Sequence, residues 1–159
     1  MDKILRATID DLELIKDIRL KSLKESPEAF TSTYDIEIKY DDDWWRNRIS
    51  RSQYFLAKEN EGYAGISCCI SLPEYEDDKR KLVSMWVDPK FRGFGVATLL
   101  INDTKEWAKD NNVSEIELDV FEENIEAKRL YEKNGFVMTR DNNTFEGCSG
   151  FYHTYLFKV

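Results

Sequence analysis

The chain has 159 residues, 42% of them hydrophobic, with three cysteines and a formal net charge of −8. That length suits a single domain over residues 1–159 with a real core, and no apolar run approaches the ~20 residues of a membrane span. The acidic surplus argues against nucleic acid as a partner, because duplex binding rests on Lys and Arg neutralising phosphates. The opening Met-Asp-Lys-Ile-Leu-Arg has no signal-peptide core, so a cytoplasmic location without a membrane partner is expected. Cys68, Cys69 and Cys148 are odd in number and lack metal-ligand spacing, which predicts buried, reduced thiols and no metal site.

Residues 3–7 alternate weakly and predict a first strand. Thr8 is a capping residue, and Asp10 and Asp11 suit the positive start of a helix. Leu12, Ile15, Ile18, Arg19 and Leu23 form a stripe at helical spacing, so a helix is expected to about Glu25, where Ser26-Pro27 breaks it. From Glu28 to Tyr40 the pattern is mixed, with Phe30, Tyr34 and Tyr40 expected as core or pocket wall. A second helix follows from an Asp41–Asp43 cap through Trp44, Trp45, Arg48 and Ile49.

Tyr54–Lys58 and Tyr63–Leu72 predict a hairpin about the turn Glu59-Asn60-Glu61-Gly62. An acidic loop, Glu74 to Asp78, leads to a strand over Leu82–Val87. This cluster and Asp41–Asp43 fit either solvated surface or steering of a cationic acceptor. Val96–Asp110 is a strong amphipathic helix, with Leu99, Leu100, Thr104, Trp107 and Ala108 sharing a face. Glu115–Val120 alternates acidic and apolar residues and is a strand. Asn124 caps a third marked helix that ends at Asn134-Gly135; strands over 136–139 and 153–159 close the chain around a polar excursion, Arg140 to Gly150. The order predicts an α+β domain with one parallel crossover in the middle of a mixed sheet.

Between the Leu82–Val87 strand and the next helix stands Asp88-Pro-Lys-Phe-Arg92-Gly93-Phe94-Gly95. A glycine loop that opens a helix gathers unpaired N–H groups at the positive end of the helix, a setting for a phosphate or pyrophosphate. A nucleotide-hydrolysing loop would need Lys and Ser/Thr after its second Gly, where Val96-Ala97 stands. A dinucleotide fold would need a third Gly, where Thr98 stands, and no preceding hairpin.

Arg92, Gly95 and Ala97, within Val87-Asp-Pro-Lys-Phe-Arg-Gly-Phe-Gly-Val-Ala, match the Gln/Arg-x-x-Gly-x-Gly/Ala signature of the GNAT superfamily of N-acetyltransferases. Downstream, Asn124-Ile-Glu-Ala127-Lys-Arg-Leu130-Tyr131-Glu-Lys133-Asn-Gly135-Phe136 is similar to that family's second cofactor motif. The chain thus resembles the family over nearly its whole length. The resemblance implies a single-domain fold with a mixed sheet of about six to seven strands flanked by about four helices, and acetyl-CoA as co-substrate. It implies that the N–H groups from Arg92 through Thr98 (Gly93, Phe94, Gly95, Val96 and Ala97 between them) face the pyrophosphate. Arg92 would either add a charge-assisted contact or support the loop from outside. Backbone groups near Met85 and Val87 would pair with the pantetheine arm, with Asn124 and Tyr131 completing the cofactor site.

By the same resemblance the Met85 N–H would polarise the thioester carbonyl and Tyr131 would be the general acid. A phenol of ordinary pKa about 10 is protonated at neutral pH and can donate to a thiolate. Where several relatives carry a Glu base this chain has Lys81. That departure leaves Glu117, Asp119, Glu37 or water alone as candidates, and His153 is expected to be an ordinary strand residue. The expected reaction is direct acetyl transfer to a primary amine of a small molecule or peptide. The rival readings are a non-catalytic acyl-CoA-binding regulatory or interaction module and a nicotinamide-dinucleotide enzyme. A homodimer paired through an exposed final strand is a further expectation.

Overall fold

The computed structural model describes residues 3–60, 62–143 and 151–159, with backbone alone at 142 and 143. Cys148 lies outside the described residues. In chain order the elements are β1 (Lys3–Arg6), α1 (Leu12–Glu25), α2 (Tyr34–Glu37), α3 (Asp42–Ser50), β2 (Ser52–Glu59), β3 (Gly62–Ile70) and β4 (Lys79–Val87). They continue with α4 (Val96–Asp110), β5 (Glu115–Phe121), α5 (Ile125–Lys133), β6 (Val137–Asn143) and β7 (Tyr152–Lys158).

The strands form one seven-stranded sheet in the order β1-β2-β3-β4-β5-β7-β6. All neighbours are antiparallel except β4 and β5. The expected hairpin is β2–β3, and the expected parallel crossover is β4–α4–β5. The final strand is a correction: β7 lies inside the sheet between β5 and β6, so β1 and β6 are the edges, and pairing of two copies through an exposed last strand is not available.

Four expected helices are present, and a fifth, one-turn helix, α2, occupies the mixed stretch before Tyr40. Thr33 caps it by accepting from the Ile36 N–H. Thr8 caps as expected, but it starts a 3-10 turn, Ile9–Asp11, whose end passes into α1. Strand β4 begins at Lys79, three residues before the apolar run that marks it, because Lys79–Lys81 pair with Glu115–Glu117 of β5.

Each face of the sheet carries its own core. On one face α4 and α5 set Leu100, Ile101, Ala108 and Tyr131 against Phe55, Leu82, Ile116 and Leu118. In α4 the buried face rotates slightly from expectation: Ile101 is buried, while Leu99 is more than one-third exposed. On the other face α1 and α3 set Ile15, Ile18, Trp45 and Ile49 against Tyr54, Leu56, Ile66 and Trp86. Cys68 and Cys69 are buried and free, and burial pushes the Cys68 thiol up to about 11, so both thiols are inert packing groups. Gly65 on β3 admits α4 to close range, since a Cβ there would meet Leu100 Cδ1 at 3.3 Å and Val96 Cγ1 at 3.4 Å, and the Trp86 carbonyl oxygen of β4 at 2.8 Å.

Candidate active site

Strands β4 and β5 are in register only as far as Lys81↔Glu117. Beyond that pair they part, while β5 stays paired with β7 on its other side along its whole length. On its other side β4 pairs with β3 at Cys68↔Val83 and again at Ile66↔Trp86, so Ser84 and Met85 together oppose the single residue Ser67. This is a β-bulge, and Ser84 stands in it at φ 62°. A non-glycine residue in that region costs ~1–3 kcal/mol and persists where the surroundings hold it. As a result Ser84 and Met85 have no one-to-one partner in register on β3, and on the β5 side β4 has no ladder partner beyond Lys81.

The parting forms a cleft of about 220 Å³. Pockets that enclose a drug-sized ligand run ~300–1,000 Å³, so a long ligand would place one end here and lie along the surface with the rest. One wall is β4 from Lys81 to Met85 and the other is β5 at Asp119–Phe121. Asn124, Ala127, Leu130 and Tyr131 of α5 line the cleft from one side, and Ala29, Phe30 and Thr31 after α1 from the other.

At the far end of β4 the chain makes a 3-10 turn, Pro89–Phe91, capped by the Asp88 carboxylate, and enters the glycine loop. Gly93 and Gly95 hold φ of 85° and 81°, a region open to glycine at little cost. Gly95 is the N-cap of α4 and provides no side chain for capping, while its carbonyl accepts from the Leu99 N–H. Among the described residues no backbone or side-chain acceptor takes the N–H groups of Gly93 through Thr98. Residues 92–95 are exposed, so these donors face outward at the positive end of a fifteen-residue helix.

Arg92 is engaged with the chain itself. Its Nε donates to the Val87 carbonyl at 2.9 Å and its Nη2 to Glu25 Oε1 at 2.7 Å. The same Glu25 oxygen accepts from Trp86 Nε1 at 3.2 Å, and Glu25 also accepts from Ser26. The Ser26, Trp86 and Arg92 contacts hold the Glu25 carboxyl below the usual carboxylate range against the opposing effect of burial. The end of α1 is thereby tied to the glycine loop. Nothing in the sequence signals this, since Glu25 and Arg92 stand 67 positions apart.

Tyr131 is buried, with Phe136 edge-on to its ring at 5.6 Å. Its hydroxyl has no hydrogen-bond partner among the described residues, and burial pushes its pKa up, so the phenol keeps its proton at neutral pH. Asn124 caps α5, its Oδ1 accepting from the Ala127 N–H at 3.1 Å, and it also lines the cleft.

The candidate bases have different settings. Glu37 is buried and bidentate with Arg19 at 2.9 and 3.0 Å, away from the cleft lining. Glu117 accepts a short hydrogen bond from the Tyr75 hydroxyl and pairs with Lys79 at 3.2 Å. Burial works to raise its pKa, but those two donors outweigh it and hold the carboxyl low. Asp119 alone of the three lines the cleft; Lys81 Nζ lies 2.6 Å from its Oδ2, and Thr154 Oγ1 donates to its Oδ1 at 2.7 Å. His153 is a buried residue of β7 opposite Val120, as expected of a strand residue.

The acetyltransferase (GNAT) family model matches residues 18–136, and the chain belongs to that family. Among curated proteins it is 32% identical over 95 residues to an uncharacterized N-acetyltransferase of Methanocaldococcus jannaschii, covering 58% of this chain and 42% of that one. It is 27% identical over 115 residues to human N-acetyltransferase 8B, covering 69% and 51%. The chain thus spans about half the length of the curated relatives it matches.

Of solved structures, a GNAT-family acetyltransferase from Streptococcus pneumoniae superposes with a TM-score of 0.81 at 19% identity, over 99% of both chains. A PaiA N-acetyltransferase from Thermoplasma acidophilum in complex with coenzyme A gives 0.74 at 17%, over 99% of this chain and 98% of that one. At these identities the likeness establishes the fold. Among the described residues no helix is long and apolar enough to cross a membrane.

Proposed function

We propose that this chain transfers the acetyl group of acetyl-CoA directly to a primary amine of a small molecule or peptide. The observation that carries this reading is the placement of three features about β4: its edge left without a β5 partner beyond Lys81, the glycine loop that follows it, and a protonated phenol on α5 lining the cleft. The N–H groups of Gly93–Thr98 suit the pyrophosphate, and the stretch Ser84–Met85 suits the amide-rich pantetheine arm, lying as an added strand toward Val87. The cleft takes the thioester end.

In this reading the amine nitrogen attacks the thioester carbonyl carbon, and the developing oxyanion is stabilised by the Met85 N–H, a fixed donor at the bulge. Collapse breaks the C–S bond, and the Tyr131 phenol gives its proton to the departing thiolate. The proton lost by the attacking nitrogen goes to Asp119, directly or through one water. Asp119 lies two residues past the last β4–β5 register pair, Lys81↔Glu117, in the direction of Met85, and it lines the cleft, whereas Glu117 does not.

Titration calorimetry with acetyl-CoA, followed by an assay of free thiol released in the presence of amines, tests the reading. Saturable acetyl-CoA binding and amine-dependent release of CoA are expected. Absence of acetyl-CoA binding would overturn it, and binding without release on any amine would favour a non-catalytic acyl-CoA-binding module.

A further inference from the structure

Lys81 and Asp119 are the charged side chains lining the cleft among the described residues, and they are paired with each other. Their side chains are 19% and 12% exposed, so the pair sits where solvent screens it weakly. It also sits at a defined place. Lys81 is the last residue of β4 in register with β5, and Asp119 is two residues beyond the last paired residue of β5, so the pair spans the apex of the parting.

This pair restricts the chemistry of the acceptor. A polycation would meet one carboxylate already shared with a lysine, and would carry further positive charge toward Lys81. A molecule with an acid alone would find Lys81 but no second contact for an amine. A molecule with an ammonium and a carboxylate one carbon apart can enter the pair, exchanging one ion contact for two and leaving the cleft neutral. The order along the strands fits as well. Lys81 belongs to the last β4–β5 register pair and Asp119 lies two residues past it, on the side toward Met85, so the amine would be held toward the thioester and the acid away from it.

Resting on the transferase reading above, we infer that the acceptor is a free α-amino acid whose amine is bound by Asp119 and whose carboxylate is bound by Lys81. The walls beside the pair are Phe30, Val83 and Phe121, which suit an apolar side chain. The bound ammonium gives one proton to Asp119 and becomes the attacking amine, the nitrogen gives up a second to solvent as the amide forms, and CoA leaves as the thiol with the Tyr131 proton, which solvent restores.

The test compares CoA release with the twenty standard α-amino acids, with the carboxamides of leucine and phenylalanine, and with spermidine, using the full chain and acetyl-CoA. Leucine or phenylalanine should be preferred over its carboxamide by about tenfold or more in kcat/KM, the scale of one charged hydrogen bond. In Lys81→Gln the KM for the amino acid should rise by a similar factor, with the carboxamide little changed, and Lys81→Arg should restore the preference. Thermal melting and acetyl-CoA affinity check that each variant is folded.

Equal or better use of the carboxamide or spermidine overturns the inference and leaves the transferase reading standing. So does a Lys81→Gln variant that weakens acid and amide alike. Acetyl-CoA binding with no turnover on any of these compounds overturns the assignment of an amino-acid acceptor. Failure to bind acetyl-CoA at all overturns the transferase reading with it.

Discussion

The two ends of the parted sheet are built on opposite plans. At the glycine loop six consecutive N–H groups, Gly93 through Thr98, have no acceptor among the described residues, and the first three belong to exposed residues. At the apex the side chains are paired: Lys81 with Asp119, Lys79 with Glu117, Glu117 with Tyr75. The first end is backbone waiting for an anion, a ligand-independent donor array fixed by two glycines. The second is charge already satisfied, which a ligand must re-partner. A site of the first kind selects on a general group such as a pyrophosphate; a site of the second kind selects on the arrangement of charges in the molecule that displaces the pair.

Substitutions should separate the two ends. The largest effect is expected from Tyr131→Phe, which removes the leaving-group proton: turnover should fall by ~10²–10⁴-fold in steady-state assays while the acetyl-CoA Kd stays within about twofold. Unchanged turnover would take the phenol out of the reaction. Asp119→Asn should lower kcat/KM for the acceptor by about a hundredfold without changing donor affinity, whereas Glu117→Gln should have little effect on turnover. Equal losses in the two variants would break the distinction between the carboxylate that lines the cleft and the one that does not.

At the donor end, Gly95→Val forces a β-branched residue into φ 81°, a strain of ~1–2 kcal/mol that the loop relieves by moving its donors. Calorimetry should show acetyl-CoA binding weakened by about tenfold, with kcat at saturating donor preserved. Arg92→Ala should change donor affinity by less than about fivefold, since its guanidinium is spent on Val87 and Glu25 and an exposed ion pair contributes ~0–1 kcal/mol. A hundredfold loss would mean that Arg92 leaves Glu25 to bind phosphate.

The smallest effect concerns pH and stability. Burial raises the pKa of Tyr54, Tyr75 and Tyr131, so the folded chain holds phenol protons that the unfolded chain releases above ~10. Their contribution is complete below that pH and is lost as pH rises past it. Melting temperature should therefore decline from pH 10 upward, and a flat profile to pH 11 would contradict the burial of these rings.

The conformation of the glycine loop was legible in the sequence, because glycine at positions 93 and 95 announces a positive φ directly. The Asn124 cap of α5 was legible for a related reason, whereas the role expected of Tyr131 came from the family resemblance and not from its spacing. The bulge at Ser84 was not, since Val-Ser-Met-Trp contains no glycine or proline and the kink arises from the mismatch of β4 with β3. Nor was the isolation of Glu37. Its partner Arg19 reads as one member of an apolar stripe, and the ion pair joins two helices separated by a segment without clear periodicity. The alternation in Glu115–Val120 announced an acidic face, and only the register with β4 shows that the lysines at 79 and 81 neutralise it.

The place of β7 inside the sheet bears on how the site comes together as the protein folds. Strand β6 has no neighbour except β7, and the two are close in sequence, so they form a local hairpin that docks on β5 as a unit. β7 delivers Tyr152 to the cleft and Thr154 to Asp119. β7 thus supplies a lining residue of the cleft and the donor that holds Asp119, so the cleft is complete only when the last strand of the chain has joined β5.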